Sequence, residues 1–424
     1  MNRNQKVALL TGATGFIGKS VLKRLLTDSE EWTVIVMVRP KILTRTASGK
    51  RIRRKKNAKP ASSEERMKTL VAYLGIPKEE THRLHYIESE IDPSLDPQIL
   101  YEAVKEEMVR HGSTSPPLRL DLVIHMAASL QQESEDMPSE KVERIRKRNQ
   151  DVNVQGLRML LSSIERFGTP EKVRILRPSI VCGKGSRTGF MATFNYFGNW
   201  WHRALGILFF YFQKTIPTIG NPDAIMDVID IQDVVGAIMD LVHLDCGEEE
   251  TTQSGLGSVY YMSTSYVHGK RAGLLKEEPV YIKPDQDYHN SYEETKATAE
   301  NVVDGWAARL SGEETLCTYH NITNENAPTL KEMNDIIYKY FGVPSFANKL
   351  VYCSDKDAFI ASFKDIRPRM AGRYGEKFWK YINVLAPYTL RDGCTRFDCS
   401  TTTSILGHPI ATTKISADYF RSIL

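Results

Sequence analysis

Four tyrosines in this chain stand four residues before a lysine: Tyr101/Lys105, Tyr266/Lys270, Tyr292/Lys296 and Tyr352/Lys356. On one helix face such a pair is an acid–base device, because the ammonium stabilises the phenolate and its remaining protons can hold a sugar hydroxyl. The chemistry also needs a hydroxyl nearby to bind a carbonyl oxygen. Tyr101/Lys105 falls on an outer helix, Tyr266/Lys270 is interrupted by Gly269, and Tyr352/Lys356 follows no evident strand. Only Tyr292/Lys296 opens a long helical pattern, and it lies after an apolar run ending in Ser263-Thr264-Ser265. The pattern predicts Tyr292 as proton donor, Lys296 as its tuning cation and Thr264 as the carbonyl-binding hydroxyl, with Ser263 and Ser265 as alternatives.

A second group reads as an anion cradle. The run Thr11-Gly12-Ala13-Thr14-Gly15-Phe16-Ile17-Gly18 follows a short apolar strand, Lys6 to Leu10, and enters a helix with apolar residues at Val21, Leu22, Leu25 and Leu26. At such a junction the free N–H groups and the helix dipole face a phosphate. The expected glycine roles are a tight turn at Gly12, close backbone approach at Gly15 and helix–strand packing at Gly18. The spacing G-x2-G-x2-G points to the short-chain reductase branch of dinucleotide-binding proteins. The second strand, Thr33 to Val38, ends in Arg39 with Lys41 beyond, where NAD-selective sites place an acid for the ribose 2′-OH. A cationic end favours a 2′-phosphate, hence NADPH.

These groups must be held by alternating strands and helices. Further apolar runs at His85 to Ile91, Leu120 to His125, Val173 to Leu176, Asp227 to Ile231, Val259 to Met262 and Leu316 to Asn321 read as strands. Helical patterns span Asp96 to Arg110, Lys141 to Phe167, Val234 to Val242 and Tyr292 to Leu310. The alternation predicts an α/β fold, a doubly wound parallel Rossmann-type sheet, with a smaller and mainly helical substrate-binding region. The expected division is a discontinuous NADP-binding domain, 1–188 and 258–322, and a substrate-binding region, 189–257 and 323–424.

The 424 residues are 41% hydrophobic and 25% charged, enough for a sizeable core. A formal charge of 56 − 52 = +4 argues against nucleic acid as partner. Charge is concentrated instead between Lys41 and Lys59, where nine Lys or Arg occur with no acid, as in a solvated loop or a contact for anionic lipid, acyl carrier or CoA phosphates. Six cysteines without CxxC or paired spacing indicate neither a zinc site nor a disulfide framework. The N-terminus passes straight into a strand, so a cytoplasmic protein is expected. The apolar stretch Trp200 to Phe212 is short of the roughly 20 residues that span a bilayer, but could lie on a membrane face or cover substrate.

Together the motifs resemble the extended short-chain dehydrogenase/reductases, and within them the fatty acyl-CoA reductase and thioester reductase group. The matching runs are TGATGFIG (11–18), VRPK (38–41) with ERMKTL (65–70), HMAAS (125–129), NVQG (153–156), RPSIVCG (177–183), DVIDIQDVV (227–235), STSYVHG (263–269) and YEETKATAE (292–300). They cover roughly the first three-quarters of the chain. The resemblance implies hydride transfer from NADPH to an acyl thioester, giving aldehyde or alcohol, with Ala127, Ala128 and Pro178 bordering the cofactor. Other chemistries of the superfamily remain alternatives: sugar-nucleotide epimerase or dehydratase, sterol or flavonoid reductase, or a non-catalytic dinucleotide-binding protein. One local departure is Ser89-Glu90, where the family usually has Gly-Asp.

The larger departure is order. In the family the STSYVHG strand and the YEETK helix precede the RPSIVCG strand and the DVIDIQDVV segment; here they follow. Exchanging the blocks Arg174 to Val259 and Tyr260 to Leu316 restores family order with every strand intact. Two outcomes follow for the fold. Either each strand keeps its place in the sheet through altered loops, or the places are exchanged too and Thr264 and Tyr292 leave the nicotinamide.

Overall fold

Seven runs of apolar residues, each bounded by a loop, pair into one parallel sheet: β1 (Lys6–Thr11), β2 (Trp32–Val38), β3 (Leu84–Glu88), β4 (Leu120–His125), β5 (Lys172–Pro178), β6 (Leu256–Met262) and β7 (Cys317–Ile322). The structure is a computed structural model. It describes residues 6–29, 31–39, 62–110, 118–133, 137–184, 215–247, 255–283, 286–312, 316–362, 386, 388–391 and 393–423. Lys41, the basic 41–59 segment and the aromatic 190–212 segment lie outside the described residues.

Alternation along the strands divides the core in two. Ala8, Leu10, Val34, Val36, Leu122, Ile124, Tyr260 and Met262 face one layer, with helices α1 (Phe16–Thr27) and α2 (Ser63–Leu74). Val7, Leu9, Ile35, Met37, Val123, Val173, Ile175, Val259 and Tyr261 face the other, with α3 (Pro97–Arg110). The predicted long helix, 141 to 167, is two α-helices, α4 (Ser139–Gln150) and α5 (Gly156–Ile164), joined by a π-helical turn at Asp151–Gln155. Next come α6 (Ile231–Cys246), which packs on α1, and α7 (Ser291–Ser311), which covers the second face with Ala299, Val303 and Trp306. Packing therefore moves α6 into the nucleotide-binding core, although it falls within the 189–257 span read as substrate region. The C-terminal part also returns to this core, where Cys399 and Ile410 join the first layer. Tyr352 lies in a strand after all, Leu350–Cys353, but Lys356 begins a separate helix, so that pair shares no helix face.

The order of strands across the sheet is β7-β5-β6-β4-β1-β2-β3. β6 pairs with β4 (Val123 opposite Val259) and with β5 (Val173 opposite Val259). The strand leading into STSYVHG thus sits beside β4, and the RPSIVCG strand one place further out. In the doubly wound order 3-2-1-4-5-6 these are the fifth and sixth places. The chain visits them in reverse, yet each strand keeps its place.

A buried ion pair ties the displaced strand to α7. Arg177 on β5 donates through Nε (2.9 Å) and Nη2 (2.6 Å) to the two carboxylate oxygens of Glu300. Both side chains are essentially inaccessible, and the guanidinium also stacks on Tyr319, 4.7 Å from its ring centre. Removing one partner of such a pair strands the other charge. Glu300→Gln is expected to lower unfolding free energy by about 3–5 kcal/mol, read from denaturant titration.

Candidate active site

Parallel strands bring their C-terminal ends to one edge, so the loops after β1, β4, β5 and β6 converge there. The loop after β1 turns at Gly12, with φ +72°. A Cβ at Gly12 would lie 2.6 Å from the Ala127 nitrogen, and one at Gly18 2.3 Å from the Gly12 carbonyl oxygen. These two contacts explain the residue types: one lets β1 and β4 loops touch, the other lets α1 start tightly against its own loop. Gly15 is the N-cap of α1, with no side chain capping the first turn and no acid within it. The N–H groups of that turn, from Phe16 and Ile17 onward, are left for a phosphate. The pyrophosphate end of a dinucleotide fits this cradle.

The side chain of Thr11 has another job than the cofactor contact expected of it. It is fully buried, with Oγ1 2.7 Å from His125 Nδ1 and accepting from the Met126 and Ala127 N–H groups at 3.2 Å. It therefore fixes the HMAAS loop relative to β1. Ala127 and Ala128 are partly exposed at that edge, in position to border a bound dinucleotide.

Arg39 is exposed at the end of β2. Arg66, to which the sequence reading assigned no role, comes to the same place: its guanidinium donates to Thr14 Oγ1 (3.0 Å) and to the Arg39 carbonyl oxygen. Burial and the neighbouring Arg39 charge hold the pKa of Arg66 below the ordinary arginine range. Two guanidinium groups thus converge beside the glycine loop. The signal was present in the ERM run, since the Ser62/Glu65 capping box starts α2 next to the end of β2.

The chemistry-bearing residues of β6 and α7 meet at the same edge. Asn290 caps α7 by accepting from the Glu293 N–H at 3.0 Å, which sets Tyr292 in the first turn. Thr264 is buried beside it; burial, and after it the Glu293 charge, push the Tyr292 pKa up, and the neighbouring Thr264 hydroxyl offsets this only in part, so the phenol stays above its usual range. Tyr292 is therefore protonated at neutral pH, as a donor must be. Thr264 and Ser265 also reach the Pro178 carbonyl oxygen, at 3.5 and 3.3 Å, which joins the ends of β5 and β6. Ser263 Oγ is buried with no partner among the described residues. Of the three hydroxyls, Thr264 is the one that meets Tyr292.

Lys296 is buried, with Nζ donating to the Met262 carbonyl oxygen at 2.7 Å and to Tyr261 Oη at 3.3 Å. Burial pushes its pKa down to about 7, against an upward pull from Glu300. It also acts on His125, which burial and the Lys296 charge lower to about 3. The glycine-loop network and Lys296 are thus in electrostatic contact.

Two asparagines that the sequence reading left without a role hold the parts together. Asn153, in the π-helical turn, accepts from the Ser129 N–H (2.7 Å) and donates to the Ser129 carbonyl and to Thr295 Oγ1, both at 3.1 Å. Asn149 accepts from Ser129 Oγ (2.6 Å) and donates to Ser291 Oγ (2.8 Å). They clamp the loop after β4 to the first turn of α7. π-turns are common at such sites. The HMAAS and NVQG runs carried this signal, but spacing alone does not say which amide meets which hydroxyl.

Residues 10–162 match the family described as male sterility protein, an NAD-binding domain. Over these residues the chain is similar to that family, and its seven-stranded parallel sheet is a Rossmann-type α/β fold. Among solved structures, the terminal R domain from the myxalamid PKS-NRPS biosynthetic pathway aligns over 100% of this chain and 90% of its own, at 13% identity and TM-score 0.50. An epimerase from Burkholderia cenocepacia J2315 aligns over 100% and 98%, at 13% identity and TM-score 0.44. No curated protein matches the sequence. The family match over residues 10–162 and the cradle point to a nicotinamide dinucleotide as the cofactor. Among the described residues no helix is long and apolar enough to cross a membrane.

The lowered value of Lys296 has a pH signature. The unfolded chain, with lysine at 10.5, binds more protons than the folded one between pH 7 and 10.5. The burial penalty is therefore fully present below pH 7 and is relieved as pH rises toward 10.5. The assistance to Tyr292 expected of Lys296 moves oppositely, since it needs the ammonium form. Carbonyl-dependent oxidation of reduced cofactor is expected to decline above pH about 7 with a single ionisation, and Lys296→Arg to lose that limb; a wild-type profile flat to pH 9 contradicts this role.

Proposed function

We propose that this chain is an NADPH-dependent reductase that reduces an acyl thioester, carried on CoA or a carrier, to an aldehyde or, in a second round, to an alcohol. The observation that carries the reading is the meeting of Thr264, Tyr292 and Lys296 at the glycine-loop edge of the sheet, despite their late place in the chain. Bound NADPH supplies the hydride, which goes to the carbonyl carbon. Thr264 holds the carbonyl oxygen and Tyr292 donates its proton to it, giving a hemithioacetal. Lys296 steadies the phenolate left behind and orients the ribose. Collapse of the hemithioacetal breaks the C–S bond, so the products are an aldehyde, a thiol and oxidised cofactor, with one proton consumed overall.

Support for NADPH comes from Arg39 and Arg66, two cations suited to a 2′-phosphate. Support for the thioester comes from the VRPK and ERMKTL runs, the male sterility family match and the R domain among the aligned structures, whose likeness speaks to the fold. Contact with an anionic membrane or carrier through the basic 41–59 segment is part of the same proposal.

The test is a screen of NADPH oxidation with acyl-CoAs of several lengths, simple aldehydes and a sugar nucleotide. Turnover with an acyl-CoA, falling at least a thousandfold in Tyr292→Phe, is the expected result. Full activity in that variant, or turnover of the sugar nucleotide alone, overturns the assignment.

A further inference from the structure

Beside the catalytic helix lies a second basic site that the reaction does not use. A cavity of about 320 Å³ is lined by Lys270, Arg271, His289 and Arg391 together with Leu390 and Thr395, with no carboxylate among the described lining residues. Its position is set by the catalytic segments themselves. His289 stands three residues before Tyr292, so their Cα atoms are within about 10 Å even for extended chain. Lys270 and Arg271 follow the STSYVHG turn, six and seven residues after Thr264.

Arg391 is held rigidly at this site. Its guanidinium lies 4.7 Å from the ring centre of Tyr266 and 5.9 Å from that of Phe397, and Nη2 donates to the Gly269 carbonyl oxygen at 3.1 Å. Its Nε is buried without a hydrogen-bond partner, and among the described residues no carboxylate pairs with it. Lys270 and Arg271 stand at exposed positions. Arg271 donates to Gln286 Oε1 at 3.3 Å, and Lys270 pairs at 2.6 Å with Asp287, whose side chain is 67% exposed. His289 is turned by Glu293, 2.9 Å from its Nδ1. A guanidinium held in place by two aromatic rings, next to two more cations at the cavity wall, suits a phosphate group. A carboxylate would need fewer of these donors, and the volume leaves room for atoms on either side of a phosphate.

We infer that this cavity is a phosphate subsite for the substrate, separate from the cofactor's, and that it grips the phosphate of the pantetheine arm that carries the thioester. This rests on the thioester reading above. The arm has two sources, CoA and a phosphopantetheinylated carrier protein, and both present the same phosphate.

The experiment uses the full chain with Lys270→Ala and Arg271→Ala combined, both at exposed positions. The kcat/KM for an acyl-CoA, divided by that for the matching N-acetylcysteamine thioester, which has no phosphate, is expected to fall about tenfold or more. An unchanged ratio overturns the subsite. The same ratio measured with acyl carrier protein separates the sources: a larger loss there assigns the cavity to the carrier-bound arm, a larger loss with acyl-CoA to the free cofactor. Calorimetric titration of the NADPH complex with 4′-phosphopantetheine keeps the two proposals apart. If no thioester is reduced, the reaction reading fails, while binding weakened about tenfold by the double variant still upholds the phosphate subsite. Binding that is absent in the wild type, or equal in the variant, refutes it.

Discussion

The site depends on one set of hydrogen bonds, those that seat Leu256–Met262 between Leu120–His125 and Lys172–Pro178. Because all three strands are parallel, that seating carries Ser263-Thr264-Ser265 to the same edge as the glycine loop and the HMAAS loop. The pairing is buried on both faces, with Val259 and Tyr261 in one layer and Tyr260 and Met262 in the other. A slip by one residue would reverse those faces, which is why register is strongly held. The altered chain order is absorbed by connections, while the strand places that define the active edge are kept.

From that seating the electrostatics follow. Lys296 can direct its ammonium to the Met262 carbonyl only because α7 starts over the end of β6, and the same enclosure lowers its pKa to about 7. Arg177 and Glu300 provide a compensated charge pair one turn deeper, linking β5 to the helix. The asparagines at 149 and 153 complete the frame by tying Ser129 to Ser291 and Thr295. The hydroxyls at this edge are thus held by groups from several separate strands and helices.

Much of this was legible in the residues. The apolar runs and the glycine trio specify a strand–turn–helix and a parallel sheet, because period and turn chemistry are local properties. Tyr292/Lys296 stands apart from the three other such patterns because only it opens a long helix after a hydroxyl-bearing strand end. Strand placement was not legible, since it depends on which long-range pairings bury the most surface. Arg66 and the two asparagines escaped for a related reason: their partners, at Thr14, Ser129 and Ser291, are distant in sequence. Thr11 read as a phosphate neighbour, whereas its hydroxyl is used up by His125 and the loop after β4. The layer that α6 joins is not legible either, because its apolar stripe does not say which face of the sheet it covers.

The claim on which all else rests is that β6, and not β5, is the neighbour of β4. Val123 faces Val259 directly, and Val173 lies on the far side of Val259. Two paired-cysteine variants decide it, Val123→Cys with Val259→Cys and Val123→Cys with Val173→Cys, each oxidised and mapped by peptide mass spectrometry. Adjacent strands lie about 4.8 Å apart and alternate strands about twice that, beyond the reach of a disulfide. The account predicts a 123–259 crosslink and none at 123–173; a crosslink at 123–173 with none at 123–259 would contradict it and remove Thr264 and Tyr292 from the cofactor's edge.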